Sequence, residues 1–374
     1  MRKYLLSFLF VFGIFVFMFQ SQSVFAKTKK VVLREPHNGE TVNIVNEETM
    51  EWWENNNKVS WNKFNKKKKD IAKTKKVIFR WKKMKGYQTY VFELGLGPSF
   101  LRCPPRIKKE IKGTSISVDN LLRNTKYYWR VQAKKQRRLG YELHSSKTYS
   151  FTTSDTARIL SVSKVVNMRD LGGYDTGDGN RVKQGVLFRS ANFDKIDEKG
   201  KETLKNELKI KTDLDLRKDG DGKLGEKYSP LENYIHQRGS NYMGIFDEGE
   251  AQKRFIDGVR VLANSDNYPI VFHCIHGRDR TGTLAFIING LLGVSEEDLK
   301  KDFEMTFLSS EAGNEISERI SYYNKMLNAM KKYKDPSKSL SCNIEEYLLD
   351  NGITEKEIKN IKTVLIETPE DRIH

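Results

Sequence analysis

The chain has 374 residues, with 66 Lys and Arg against 49 Asp and Glu for a net charge of +17; 38% of its residues are hydrophobic. That length accommodates two domains, each able to bury its own core. Three cysteines are too few for a disulfide framework, and no paired Cys or His spacing suggests a metal centre.

Charge and hydropathy divide the chain into three. Arg2 and Lys3 precede an almost wholly apolar run, Tyr4 to Phe19, followed by Val24-Phe25-Ala26. These parts compose a secretory signal peptide over residues 1–26, since the run is short of the roughly 20 residues that a retained membrane anchor needs. The expectation is an exported, secreted or surface-associated protein beginning near Lys27. Residues 27–154 then carry 30 Lys and Arg against 11 Asp and Glu, whereas residues 155–374 carry 34 against 38. All of the excess positive charge lies in the middle section, which points to an anionic surface as its partner, a membrane or a cell-wall polymer.

Residues 27–154 read as an all-β domain. Leu33 to Glu40 supplies a strand and turn, Val77-Ile78-Phe79-Arg80-Trp81 and Tyr90-Val91-Phe92-Glu93-Leu94 two strands, and Ser115-Ile116-Ser117-Val118 another. In Leu121–Ala133 the residues Tyr127, Trp129, Val131 and Ala133 fall on one face; Ser150-Phe151-Thr152-Thr153 closes the series. This order resembles a fibronectin type III sandwich, and the resemblance implies Tyr127 as a tyrosine corner and Trp81 as a core tryptophan. Asn62 to Lys69, with Lys66 to Lys69 consecutive, reads as a solvated insertion or an electrostatic contact with polymer or lipid. Nucleic acid is the weakest partner, because no aromatic residues interleave as a stacking platform.

After the polar linker Thr152–Thr156, strands and helices alternate over residues 155–374, which predicts an α/β domain with a central sheet flanked by helices. Asn167-Met168-Arg169-Asp170-Leu171-Gly172-Gly173 opens it, Val186–Ala191 is a strand, and Glu198–Leu208 is helical. Ile210–Arg217 is a strand ending in Asp215-Leu216-Arg217. Tyr268-Pro269-Ile270-Val271-Phe272 leads into His273-Cys274-Ile275-His276-Gly277-Arg278-Asp279-Arg280-Thr281-Gly282, and a buried helix follows to Leu292. A strand, a tight loop and a helix N-terminus aim amides and a positive dipole at one point, which suits a phosphate and favours thiolate over thiol. Arg280 would grip two phosphate oxygens, Thr281 would donate to the thiolate, and His273 would fix the loop from behind.

The Cys274-x5-Arg280 spacing resembles the signature of protein tyrosine phosphatases. The longer pattern, with Asn167–Gly173 and Asp215–Arg217, is similar to secreted bacterial tyrosine and dual-specificity phosphatases whose loop reads His-Cys-x-x-Gly-Lys-Asp-Arg-Thr-Gly; Arg278 replaces the usual Lys. The resemblance spans about residues 157–367 and implies a phosphocysteine intermediate with no metal or cofactor. Ile275, His276, Gly277, Arg278 and Gly282 would line the substrate, and the family analogy makes Asp215 a partner of one loop arginine. Two aspartates compete as general acid. Asp279 is preferred because it lies in the loop, as in the bacterial relatives; Asp247, in Gly244–Gly249, sits where a mobile acid loop would. The extra charge of His276 and Arg278 raises phosphoinositides or inositol phosphates as alternative substrates. From another class comes a surface-polymer-binding protein with an inactive phosphatase domain, which the intact Cys274, Asp279, Arg280 and Thr281 disfavour.

Overall fold

Alternating apolar residues build the N-terminal sheets, and short strands, the central ones buried on both faces, build the C-terminal one; the computed structural model describes residues 30–55 and 70–372. The expected signal peptide and the Lys66–Lys69 run lie outside the described residues. The N-terminal strands are β1 (Leu33–Glu35), β2 (Glu40–Val42), β3 (Val77–Trp81), β4 (Thr89–Gly95), β5 (Ile107–Lys112), β6 (Ser115–Val118), β7 (Lys126–Arg137), β8 (Gly140–Ser145) and β9 (Tyr149–Thr153). They form one sheet ordered β1-β3-β6 and another ordered β2-β9-β7-β4-β5, with β8 paired to the far end of β7. Tyr127, Trp129, Val131 and Ala133 all point into the space between, where the Trp129 ring lies 5.1 Å from Phe79 and 6.3 Å from Phe92. Trp81 is buried against Tyr90, and Tyr127 Oη accepts the Leu122 N–H at 2.9 Å.

Strands β5 and β8 escape the sequence reading for a physical reason. β5 is an edge strand whose Lys108, Lys109 and Lys112 face solvent, so it carries the charge that blunts an edge rather than an apolar alternation. Helix α1 (Glu47–Asn55) was likewise not predicted. It buries Trp52 and Trp53, together with Ile71, in the hydrophobic cluster of the C-terminal part rather than between the N-terminal sheets. The chain returns at Asp70, which accepts the Ser310 N–H at 2.7 Å, while the Ile71 and Ala72 amides donate to Leu308 O at 2.7 and 3.0 Å.

Beyond the linker come β10 (Arg169–Asp170), β11 (Arg181–Val182), β12 (Leu187–Ser190), β13 (Thr212–Asp215), β14 (Asn233–His236), β15 (Ile270–His273) and β16 (Ile366–Glu367). The central sheet is ordered β10-β12-β15-β13-β14, parallel except for β10, and β12, β13 and β15 are buried along their whole length. That burial on both faces suits the apolar Ile270-Val271-Phe272 of β15, while the charged side chains that β12 and β13 bury, Arg189, Asp213 and Asp215, each face an opposite charge. The helices are α2 (Glu198–Glu202), α3 (Glu250–Leu262), α4 (Asp279–Leu291), α5 (Glu296–Met305), α6 (Ile316–Lys331), α7 (Leu340–Asp350) and α8 (Glu355–Leu365). α4 is buried from Thr281 onward and packs against α5 and α7, so the helix that begins at the cysteine loop is also the centre of the core. Thr354 and Glu357 form a capping box at the start of α8, and the Ser295 side chain caps α5 by accepting the Asp298 amide.

Candidate active site

The parallel strand β15 delivers His273 and Cys274 to the carboxyl edge of the sheet, between β12 and β13, where open α/β sheets bind ligands. The loop from Cys274 to Arg278 then turns into α4. Gly277 makes the turn at φ +64°, and a Cβ there would lie 2.3 Å from Ser190 O, so both the conformation and the space require glycine. The loop carbonyls face outward to fixed donors. Asn192 Nδ2 donates to Ile275 O at 2.7 Å, Asn167 Nδ2 to His276 O at 3.0 Å, and Arg189 Nη2 to Gly277 O at 2.7 Å. None of the amides of residues 275–280 has a hydrogen-bond acceptor among the described residues. Carbonyls out and amides unpaired is the arrangement that cradles an anion.

A buried ion cluster holds this arrangement. Arg169 Nε donates to Asp302 Oδ1 at 2.7 Å, and Arg189 pairs with the other oxygen of the same carboxylate. Burial would raise the Asp302 carboxyl, but the two guanidiniums keep it below the usual carboxylate range. Arg158 pairs with Asp170 at 2.6 Å, and Asp170 also accepts the Gly172 and Gly185 amides. The Asn-x-Arg-Asp-Leu-Gly-Gly segment is therefore the brace of the loop. Asp302, its partner on α5, carries no local signal: it stands 133 residues from Arg169.

Below Cys274, His273 Nε2 lies 2.9 Å from Asp213 Oδ1 and Nδ1 lies 3.9 Å from Asp215 Oδ1. Burial alone would lower the His273 pKa, but Asp213, then Asp215, push it up to about 9, so an imidazolium stands behind the cysteine. Cys274 itself is 2% exposed and Thr281 is fully buried; the Thr281 hydroxyl has no hydrogen-bond partner among the described residues.

The flanking groups depart from expectation. Asp215 is fully buried and paired with Arg217 Nη2 at 2.8 Å, with Tyr234 Oη donating at 3.2 Å. It thus serves neither Arg278 nor Arg280, because Arg217, two residues on, reaches it first, and it lies too deep to meet a substrate. Arg280 instead donates through Nη1 to Leu216 O at 3.1 Å and to Asp221 Oδ2 at 2.8 Å. Asp221, in a Gly-Asp-Gly turn, was not singled out from sequence. Arg278 is 6% exposed; its Nη1 donates to Ala312 O at 2.6 Å and its fork meets Asp279 at 3.2 Å. His276 Nδ1 lies 2.5 Å from Glu311 Oε2. Both of these loop side chains therefore face carboxylates of the protein itself.

Of the two acids, Asp279 is in the loop, accepts from Tyr242 Oη at 2.6 Å and lies 3.8 Å from Arg319 Nε. Burial would raise its carboxyl, but Arg278 and the Tyr242 hydroxyl hold it below the usual range. Asp247 is exposed on the turn before α3, makes no hydrogen bond or ion pair with the loop, and does not cap that helix, whose N-cap is Gly249.

No curated protein matches the chain. Among solved structures, the core catalytic domain of the PP-IP phosphatase SIW14 from S. cerevisiae, in complex with citrate, is 17% identical, covering 45% of this chain and 98% of that one at a TM-score of 0.29. A second Siw14 catalytic core is also 17% identical, covering 45% and 97% at 0.28. The sequence model of the tyrosine phosphatase family matches residues 160–367, more than half of the chain and all of the loop, its brace and the sheet beneath them, and so the chain belongs to the tyrosine phosphatase family, the cysteine-based phosphatases.

Proposed function

We propose that the protein hydrolyses phosphomonoesters of the phosphotyrosine and dual-specificity class through a phosphocysteine intermediate, with phosphoinositides or inositol phosphates as the alternative substrates. One observation carries this reading: Cys274 sits at the base of a loop whose amides, like Nε and Nη2 of Arg280, have no hydrogen-bond partner among the described residues. The Cys274 thiolate attacks phosphorus and the phosphorus–oxygen bond to the leaving group breaks. The loop amides and the open edge of the Arg280 fork hold the equatorial oxygens as charge redistributes. The leaving oxygen takes a proton from Asp279, with Asp247 as the rival donor. Water then attacks the phosphocysteine, gives up its proton to the same carboxylate, and inorganic phosphate departs as the thiolate is restored. Asp279 is favoured by its place in the loop. Its pairing with Arg278 suits the base of the second step, and release of Arg278 toward the bound phosphate would let it carry the proton needed in the first.

The N-terminal part is proposed as an exported, fibronectin III-like module for an anionic surface, on the strength of its charge and aromatic core. Hydrolysis of an aryl phosphate with vanadate, with EDTA, and by Cys274→Ser tests the mechanism. Vanadate and the substitution should abolish turnover and EDTA should not; full activity in Cys274→Ser would overturn it. Comparing phosphotyrosine peptides, phosphoserine peptides and phosphoinositides decides the substrate.

A further inference from the structure

A cleft of about 520 Å3 separates the N-terminal sheets from the C-terminal domain. Arg106 and Lys126 line it from one side, and Arg181, Lys183, Glu367 and Arg372 from the other. Arg181 Nε meets the Glu367 carboxylate at 2.5 Å, so the single acid of the lining is already neutralised. Arg106, Lys126 and Lys183 make no ion pair among the described residues. Arg372 donates Nη2 to the carbonyls of Gly179 and Glu367 at 3.1 and 3.4 Å, contacts that orient the guanidinium without cancelling its charge. Its Nε is buried with no hydrogen-bond partner among the described residues. Four cationic side chains thus line one concavity with no ion pair of their own among the described residues. Like charges gathered in a cleft repel more strongly than on a flat surface, and an anion that enters relieves the repulsion.

These cations stand on rigid supports from both domains. Lys126 opens β7, where it pairs with Thr152, and Lys183 follows β11, its amide bonded to Leu365 O at 2.6 Å. The cleft is also remote from the cysteine. β12 starts at Leu187, just after Lys183, and runs to Ser190, whose carbonyl touches Gly277, so the cations lie at the opposite end of the sheet from the loop.

We infer that this cleft is a second anion site, bridging the two domains and taking a ligand with clustered phosphate groups. A lone carboxylate would answer one of four charges; adjacent phosphates carry up to two charges each and accept the planar guanidinium fork at two oxygens. A polyphosphate-bearing metabolite and a phosphorylated lipid headgroup share this chemistry.

The test uses the full chain with its cysteine loop filled by orthovanadate. Inorganic tripolyphosphate is titrated calorimetrically, and vesicles of phosphatidylcholine with and without phosphatidylinositol bisphosphate are co-sedimented with the protein. The expected result is one saturable site. Lys126→Gln/Lys183→Gln should weaken it about tenfold, the combined effect of two exposed ion pairs, and Lys126→Glu/Lys183→Glu should weaken it further, with aryl phosphatase kcat/KM unchanged in both. Binding of tripolyphosphate identifies a soluble ligand; binding of the phosphoinositide vesicles alone identifies a headgroup. No binding in either arm, or equal binding by both variants, overturns the assignment.

Discussion

Asp221 places a carboxylate oxygen 2.8 Å from Arg280 Nη1, the same nitrogen that donates to Leu216 O at 3.1 Å. Both anchors occupy one corner of the guanidinium, so Nε and Nη2 remain as the parallel pair that matches two phosphate oxygens. The turn that carries Asp221 is pinned in its turn: Arg217 Nη2 donates to Lys223 O at 2.9 Å, and a Cβ at Gly222 would lie 2.5 Å from Asp194 Oδ2. The expected effect of Asp221→Asn is a loss of orientation at unchanged fold. A hydrogen bond to a charged group contributes about 1.5–3 kcal/mol, so vanadate affinity and kcat/KM should fall by roughly tenfold or more, with the thermal midpoint unmoved. A rise in kcat/KM would show that Asp221 restrains Arg280 rather than aims it.

The imidazolium of His273 makes stability depend on pH. Its folded pKa of about 9 stands above the unfolded value near 6.5, so the stabilisation is complete below about 6.5 and is lost as pH rises through about 9. The shift corresponds to about 3 kcal/mol. Unfolding free energies from urea titrations at pH 7 and pH 10 should differ by that order in the parent, beyond the general drift. Asp213→Asn should remove most of the difference, because Asp213 is the carboxylate in contact with Nε2. An equal difference in both proteins would assign the pH dependence elsewhere.

Asp302 tests the brace. It holds Arg169 and Arg189 at once, and Arg189 holds the Gly277 carbonyl. Removing one partner of a buried ion cluster costs about 3–5 kcal/mol, since the guanidiniums stay buried without a counter-charge. Asp302→Asn should therefore lower the unfolding free energy measured in urea by that order. It should also lower kcat beyond what Arg158→Gln does, because the Arg158–Asp170 pair makes no contact with the loop carbonyls.

Where local sequence carries the physics, the residues speak for themselves. Cys274 to Gly282, the alternation of Tyr127 to Ala133 and the apolar Leu284–Ile288 of α4 each place their own element. Strand β5 stays hidden because solvent, not the core, dictates its lysines. The partners of the loop stay hidden because the fold brings them from afar. Glu311 reaches His276 from 35 residues away, Tyr242 reaches Asp279 from 37, and Asp221 reaches Arg280 from 59. His276 thus meets its carboxylate in a segment with no pattern of its own, whereas Arg278 meets Asp279, its neighbour in the loop.

Tyr242 offers the sharpest means of choosing between Asp279 and Asp247. Its hydroxyl donates to Asp279 Oδ1 at 2.6 Å and favours the charged carboxylate, whereas Asp247 stands exposed and apart. Tyr242→Phe removes that donor and leaves Arg278 in place, so the Asp279 carboxyl should move upward from its lowered position. A single hydrogen bond is worth about 0.5–1.5 kcal/mol, so the shift should be up to about one pH unit. If Asp279 donates the proton of the first step, the alkaline limb of kcat/KM moves to higher pH by that amount in Tyr242→Phe. Asp247→Asn then leaves both the limb and the turnover of poor leaving groups as they were. A limb that stays fixed in Tyr242→Phe, with a large loss of turnover in Asp247→Asn, would transfer the role to Asp247. Loss in Asp279→Asn alone cannot separate chemistry from the bracing of Arg278, and for that reason the Tyr242 variant, which spares the ion pair, is the deciding measurement.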